Sequence, residues 1–185
     1  MGTKSTKWMK LTMGAAAAGL SILSLLPAPD APMTEDGAAR ALVLNRADDA
    51  WTRRAVELTN EDPAFAARLA QLAESDQVDG IGRGHVLDAL ARAGTPAAQQ
   101  AMRAALTAPA VAQDGAYAIL VARFASVQSP TAATLAWLGQ THVDAVAAGQ
   151  TQLALASESA LDSAFDHRLA MLSRHPRHRR IGAIK

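Results

Sequence analysis

The chain contains no cysteine. That excludes disulfides, thiolate metal sites and cysteine nucleophiles, and it excludes a lipoprotein anchor, which needs a cysteine to carry its lipid. Aromatic residues are scarce, 4% of 185, and alanine dominates the apolar half, so a core made from this sequence brings helices close together rather than packing rings. Lysine is missing from the body: it stands only at positions 4, 7, 10 and 185, and arginine carries the positive charge in between. No stretch alternates strictly between apolar and polar residues, as a half-buried strand would. Gly-x-Ser-x-Gly, His-Glu-x-x-His and the Gly-Lys-Ser/Thr of a phosphate loop are all absent, and with them the commonest signatures of hydrolases, zinc peptidases and nucleotide enzymes. The expectation is a protein without catalysis, and no residue is assigned a catalytic, cofactor-binding or metal-binding role.

What is present is unevenly distributed. The formal net charge is +1, yet Thr34 to Asp166 carries 16 carboxylates against 9 arginines, whereas His167 to Lys185 carries 6 basic residues and no acid. An acidic body with a basic end is an electrostatic asymmetry that the net value hides. The run Arg174-His175-Pro176-Arg177-His178-Arg179-Arg180 suits an anionic surface, including the chain's own body. It has no interleaved aromatics on which bases stack, so no nucleic-acid partner is expected. Residues 173–185 read as a solvated, disordered tail.

At the other end, Lys4, Lys7 and Lys10 precede an apolar run from Leu11 to Leu26, which Pro27 stops. Charged start, apolar middle and proline exit make the pattern of a secretory signal. The run is shorter than the roughly 20 residues that span a bilayer. Residues 1–27 are therefore expected to form a hydrophobic helix that directs export to the periplasm or beyond. The alternative is an uncleaved anchor to the inner membrane through residues 8–26. A small-x-small cleavage pattern appears only downstream, at Ala39-Arg40-Ala41. Residues 28–37 read as a linker.

The body holds an internal repeat. Asp62-Pro63, Thr95-Pro96 and Ser129-Pro130 each place a capping side chain before a proline. The side-chain oxygen accepts from a free N–H of the first helical turn, and proline at the next position has no N–H to leave unpaired. Thr95 follows Asp62 by 33 residues and Ser129 follows Thr95 by 34. Nineteen residues after each proline stands a glycine, Gly82, Gly115 and Gly149, expected to let the chain turn before a second helix. Four residues further on are Val86, Ile119 and Leu153. A period of 33–34 fits one helix–turn–helix unit. The apolar spacings agree: Phe65, Leu69 and Leu72, then Val86, Leu87 and Leu90; Ala98, Ala101, Met102, Ala105 and Leu106, then Tyr117, Leu120, Val121 and Phe124; Leu135, Leu138 and Val146, then Leu161, Phe165, Leu169 and Leu172. Ala38 to Leu58 reads as a less regular opening pair. The expected fold is all-α, a right-handed stack of antiparallel helix pairs over residues 38–172, in which each unit covers its neighbour's apolar stripe.

Within this pattern, Leu87-Asp88-Ala89-Leu90, Gly94-Thr95-Pro96, Ala116 and Ser129-Pro130-Thr131 with Leu135 make residues 85–138 resemble the helical domain of vitellogenin-type large lipid transfer proteins. The stretch is also similar to bacterial HEAT-like repeat proteins. The resemblance implies an α-solenoid and an interaction surface. In the vitellogenin-type family the helical arch is a scaffold and lipid is held mainly by large β-sheets, for which this chain has neither the length nor the strands. Ankyrin repeats share the period and the Gly94-Thr95-Pro96 element but require a histidine where Ala98 stands. Tetratricopeptide repeats share the length without their Trp, Gly and Tyr signature.

Few other positions suggest chemistry. Gly80-Ile81-Gly82-Arg83-Gly84 has the look of a phosphate cradle, but it lacks the Gly-x-Gly-x-x-Gly spacing and an upstream strand, and reads as an interhelical turn. His142 lies on an apolar face near Asp144, where a lone histidine is a hydrogen-bonded core or groove residue. His175 and His178 sit among arginines that repel a cation. Asp48-Asp49 reads as a helix-start or surface element and Glu61-Asp62 as a helix cap, rather than as acid/base pairs. The functional expectation is an exported scaffold that binds an unknown protein partner. Alternatives are a carrier of lipid or another apolar ligand, and a truncated fragment of a longer repeat protein.

Overall fold

The computed structural model describes residues 33–44 and 48–174. The chain divides into two units between Pro32 and Met33, and the described residues all belong to the second. The expected N-terminal hydrophobic helix, its export signal or membrane anchor at residues 8–26, and the tail beyond Arg174 with His175 and His178 lie outside the described residues.

Among the described residues the chain is all-helical, with nine α-helices and no strand, as the apolar periodicity predicts. They are α1 (Glu35–Val43), α2 (Asp49–Glu61), α3 (Pro63–Glu74), α4 (Gly80–Ala93), α5 (Pro96–Thr107), α6 (Pro109–Ala112), α7 (Tyr117–Ala122), α8 (Ala132–Ala147) and α9 (Thr151–Arg174), with a 3-10 turn at Arg123–Ser126 after α7.

Most helix starts are set by local chemistry that the sequence displays. Asp62 accepts from the Ala64 N–H at 2.8 Å and Pro63 opens α3. Thr95 accepts from the Ala98 N–H at 3.2 Å and Pro96 opens α5. Asp48 caps α2 through the Trp51 N–H at 2.9 Å. Each cap satisfies a first-turn donor that has no helical partner. α1 starts earlier than the expected boundary at 38, because Thr34 caps it through the Gly37 N–H, and Gly37 and Ala38 are already buried. At the other end α9 runs to Arg174, two residues past the expected end of the domain.

The third proline departs from the first two. Thr131, not Ser129, caps α8, accepting from the Thr134 N–H at 3.2 Å, so Pro130 lies outside the helix. The cause is Gln99 on α5. Its amide nitrogen donates to the Ser129 carbonyl at 2.9 Å and its oxygen accepts from the Thr131 N–H at 2.8 Å, which holds this segment extended. The glycines also divide. Gly149 (φ 69°) turns the chain between α8 and α9, and Gly115 lies in the α6–α7 loop. Gly82 instead sits inside the first turn of α4, where a Cβ would stand 2.6 Å from the Val43 carbonyl oxygen. Its service is close approach of α1's end to α4, not a turn.

Packing joins neighbours in sequence and elements further along the chain. α1 and α2 pack on α4, α3 on both α4 and α5, α4 on the 3-10 turn, and α7 with that turn on α9, while α8 pairs with α9. The core between them holds Leu42, Phe65, Leu69, Leu87, Leu90, Met102, Leu106, Leu120, Phe124 and Leu138, all fully buried. Burying each such side chain contributes roughly 1.5–3 kcal/mol relative to leaving it in water. The stripes expected of α3, α4 and α5 are inside, with Leu72 half-buried. The last pair differs: Val146, Phe165 and Leu169, expected in the core, are 59%, 53% and 64% exposed. The buried side chains described on α9 are the smaller Ser157, Ala160 and Ala164.

Candidate functional site

The first turns of α4 and the middle of α7 enclose an open groove of about 450 Å3. Asp79 caps α4 through the Gly82 N–H at 2.7 Å and stands at the groove's end. Gly80 and Gly84 keep its floor low, because neither places a Cβ between the two elements. Ile81 from α4 and Ile119 from α7 form its apolar rims, 58% and 61% exposed. Ile119 stands at the same spacing from its proline as the buried Val86, yet it faces solvent. Across the groove Arg123 pairs with Asp88 at 3.1 Å, leaving its Nε buried without a hydrogen-bond partner among the described residues. His85 lines the same wall. Two exposed isoleucines thus stand beside one half-buried ion pair, which makes the groove apolar at its rims and charged along one wall.

The turn reading of Gly80 to Gly84 is corrected by the helix itself. These residues are the first turn of α4 itself. The Asp79 carboxylate already occupies the helix N-terminus, and its charge disfavours a second anion there. Arg83 points away into the body, where it is buried, donates to the Ala73 and Ser75 carbonyls at 2.9 and 3.2 Å, and pairs with Asp114. Asp114 also accepts from the Ala116 N–H at 2.8 Å. That backbone bond, followed by the Arg83 guanidinium, outweighs desolvation and holds the carboxyl below its ordinary 3.8. The Arg83–Asp114 pair thus fastens the α3–α4 connection to the α6–α7 loop.

His142 and Asp144 do not act together. His142 turns inward, with Nδ1 3.1 Å from the Ala154 carbonyl and 3.5 Å from the Ser157 hydroxyl. Asp144 is exposed and accepts from Gln140 at 2.8 Å. The His142–Ser157 approach escaped the sequence reading, because nothing in their spacing links two helices. It is not an activated nucleophile: Ser157 is fully buried and its hydroxyl donates to the Leu153 and Ala154 carbonyls at 2.8 and 2.9 Å. Nucleophilic chemistry needs an accessible oxygen whose proton a base can take. Asp48 and Asp62 serve as helix caps. Among the described residues no three His, Cys, Asp or Glu side chains are placed to hold a metal ion, and no helix is long and apolar enough to cross a membrane.

Gln99 also went unread in the sequence. It is fully buried, and all of its hydrogen-bonding groups are engaged, by the Gly94 and Ser129 carbonyls, the Thr131 N–H and the Thr134 hydroxyl. Arg103 adds bonds to Thr131 and Thr134. A buried amide is tolerated when fully satisfied, and here it joins α5 to the start of α8. A polar residue inside an alanine-rich stripe was the only available signal. Comparison with protein-family models, curated proteins and solved structures gave no match for this chain.

Proposed function

We propose that the chain is a HEAT-like helical-repeat scaffold, a right-handed stack of antiparallel helix pairs, that binds a partner protein along the α4–α7 groove and has no catalytic role. One observation carries the reading. Five of the side-chain bonds that join separate elements span close to one repeat period: Arg68 to Glu35 across 33 residues, Arg83 to Asp114 across 31, Gln99 to Thr131 across 32, Arg103 to Thr134 across 31 and Arg123 to Asp88 across 35. Each ties one helix pair to the next, the register in which stacked units cover one another. The likeness of residues 85–138 to the helical domain of vitellogenin-type proteins supports the same architecture. The charged and apolar pattern of residues 1–27 supports export, which places the partner in the periplasm or outside the cell.

Affinity capture from envelope and secreted fractions tests the proposal, with the Ile81→Asp/Ile119→Asp double variant as the comparison. A partner held by the natural chain and released by the variant is the expected result. Equal capture by both chains would remove the groove from the account. Lipid co-purifying in native mass spectrometry would favour the apolar-ligand carrier instead.

A further inference from the structure

One face of α4 runs along the groove and continues past it. At about 100° per residue, Ile81, His85, Asp88 and Arg92 fall on a single side of the helix, while Val86, Leu87 and Leu90 point into the core. Ile81 and Ile119 rim the groove at one end of this stripe. At the other end Arg92 shares a cleft of about 400 Å3 with Asp49, Thr52, Arg53 and Val56 of α2. Ile81 and Arg92 are 11 residues apart, about 16 Å along a helix. The stripe is graded in charge. Asp79 stands at its start, the Asp88–Arg123 pair is neutral in its middle, and Arg53 and Arg92 stand at its end. Both of these arginines are exposed, and among the described residues neither forms an ion pair. Asp49 lines the same cleft, so two guanidiniums against one carboxylate leave it a net charge of +1, in a body where carboxylates outnumber arginines.

We propose, resting on the reading of the α4–α7 groove as the partner site, that its occupant is an extended acidic segment of the partner protein. An apolar side chain of that segment sits between Ile81 and Ile119, and a carboxylate reaches Arg53 and Arg92. Charge complementarity selects this occupant. The planar fork of a guanidinium matches a carboxylate, and Asp79 repels an acid at the opposite end, which fixes the orientation. The chain's own basic end, Arg174 to Arg180, meets like charge at Arg53 and Arg92 and is disfavoured there. Gly80 and Gly84 place no side chain on the groove floor, which admits a main chain passing over it. At about 3.3 Å per residue of extended chain, the apolar anchor and the acid stand about five residues apart.

The test uses the full chain and a labelled synthetic peptide, Leu-Ser-Thr-Ser-Thr-Asp-Glu, capped at both ends and followed by fluorescence anisotropy. Beside it stand the same peptide with lysines in place of the two acids, and one with the acids directly after the leucine. Saturable, salt-sensitive binding is expected of the first peptide, with at least about tenfold weaker binding of the other two. Arg53→Gln/Arg92→Gln should weaken the first peptide at least about tenfold, with circular dichroism unchanged. Gln100→Glu/Gln128→Glu makes the same change of net charge elsewhere on the surface and should leave binding intact. Equal loss in that control, equal binding of the lysine peptide, indifference to the spacing of leucine and acid, or no saturable binding would each overturn the proposal. The same arginine variant separates this proposal from the groove reading in affinity capture. Capture of a partner that depends on Ile81 and Ile119 but not on Arg53 and Arg92 would keep the groove and overturn the acidic segment. Capture indifferent to both pairs would remove the groove and this proposal with it.

Discussion

In α4 the stripe Val86, Leu87 and Leu90 is wholly buried, whereas in α9 the residues at the same spacing, Phe165 and Leu169, face solvent. The sequence writes both helices with the same apolar rhythm. The difference lies in their neighbours. α4 is covered on successive sides by α1, α2, α3 and α5, while α9 has α8 and the α7 segment and nothing after them among the described residues. Periodicity therefore records a helix's capacity to be covered, and the elements packed around it decide whether it is. The middle pairs add polar fastenings, Arg83 to Asp114 and Gln99 to Thr131 and Thr134. The last pair buries Leu138 and Ala145 of α8 and the small Ser157, Ala160 and Ala164 of α9, with His142 placed 3.1 Å from the Ala154 carbonyl.

The contrast predicts unequal responses to substitution. Arg83→Met should be the most damaging, by about 3–5 kcal/mol in urea unfolding, since it strips Asp114 and two carbonyls of a buried partner. Leu87→Ala should cost about 2–5 kcal/mol by opening a cavity, against less than about 0.5 kcal/mol for Leu169→Ala at the exposed end. Equal losses for the two leucines would erase the distinction between sealed and open pairs.

Glycine separates the same regions with opposite signs. Gly82→Ala forces a methyl group against the Val43 carbonyl and should cost about 1–3 kcal/mol. Gly139 lies within α8 with nothing near a new Cβ, so Gly139→Ala should stabilise by about 0.5–1 kcal/mol. Thermal midpoints moving in the same direction would contradict the account of either site.

The smallest effect is one of pH. The Asp114 carboxyl is held below its ordinary value by the Ala116 N–H and then by Arg83. A depressed folded pKa adds stability that is complete above the unfolded value, near 3.8, and is lost as pH falls through the folded one. The unfolding midpoint should therefore decline more between about pH 5 and pH 3 for the natural chain than for Asp114→Asn. Parallel declines would assign the acid sensitivity to other carboxylates.

Much of this was legible beforehand where the physics is local. Asp62, Thr95 and Asp48 act within one helical turn, so their role as caps was visible in a few residues of text. What failed was non-local. Ser129-Pro130 looks like its two counterparts, but Gln99, 30 residues earlier, sets the chain there and passes the cap to Thr131. Gly82 reads as a turn by spacing and is instead a contact with Val43, 39 positions before it. The second unit's second helix was expected to be continuous. It is short, preceded by α6 and followed by a 3-10 turn. The groove was legible only as a glycine-rich string, because its rims come from two helices that periodicity alone does not bring together.

The register of the helix pairs can be read in solution, since a chain without cysteine takes a single label cleanly. A nitroxide on Ala67→Cys, on the face of α3 that borders α5, should broaden the amide resonances of Ala97 to Ala104, one period downstream. Broadening confined to α3 and its sequence neighbours, with Ala97 to Ala104 untouched, would contradict the stacking on which the account rests.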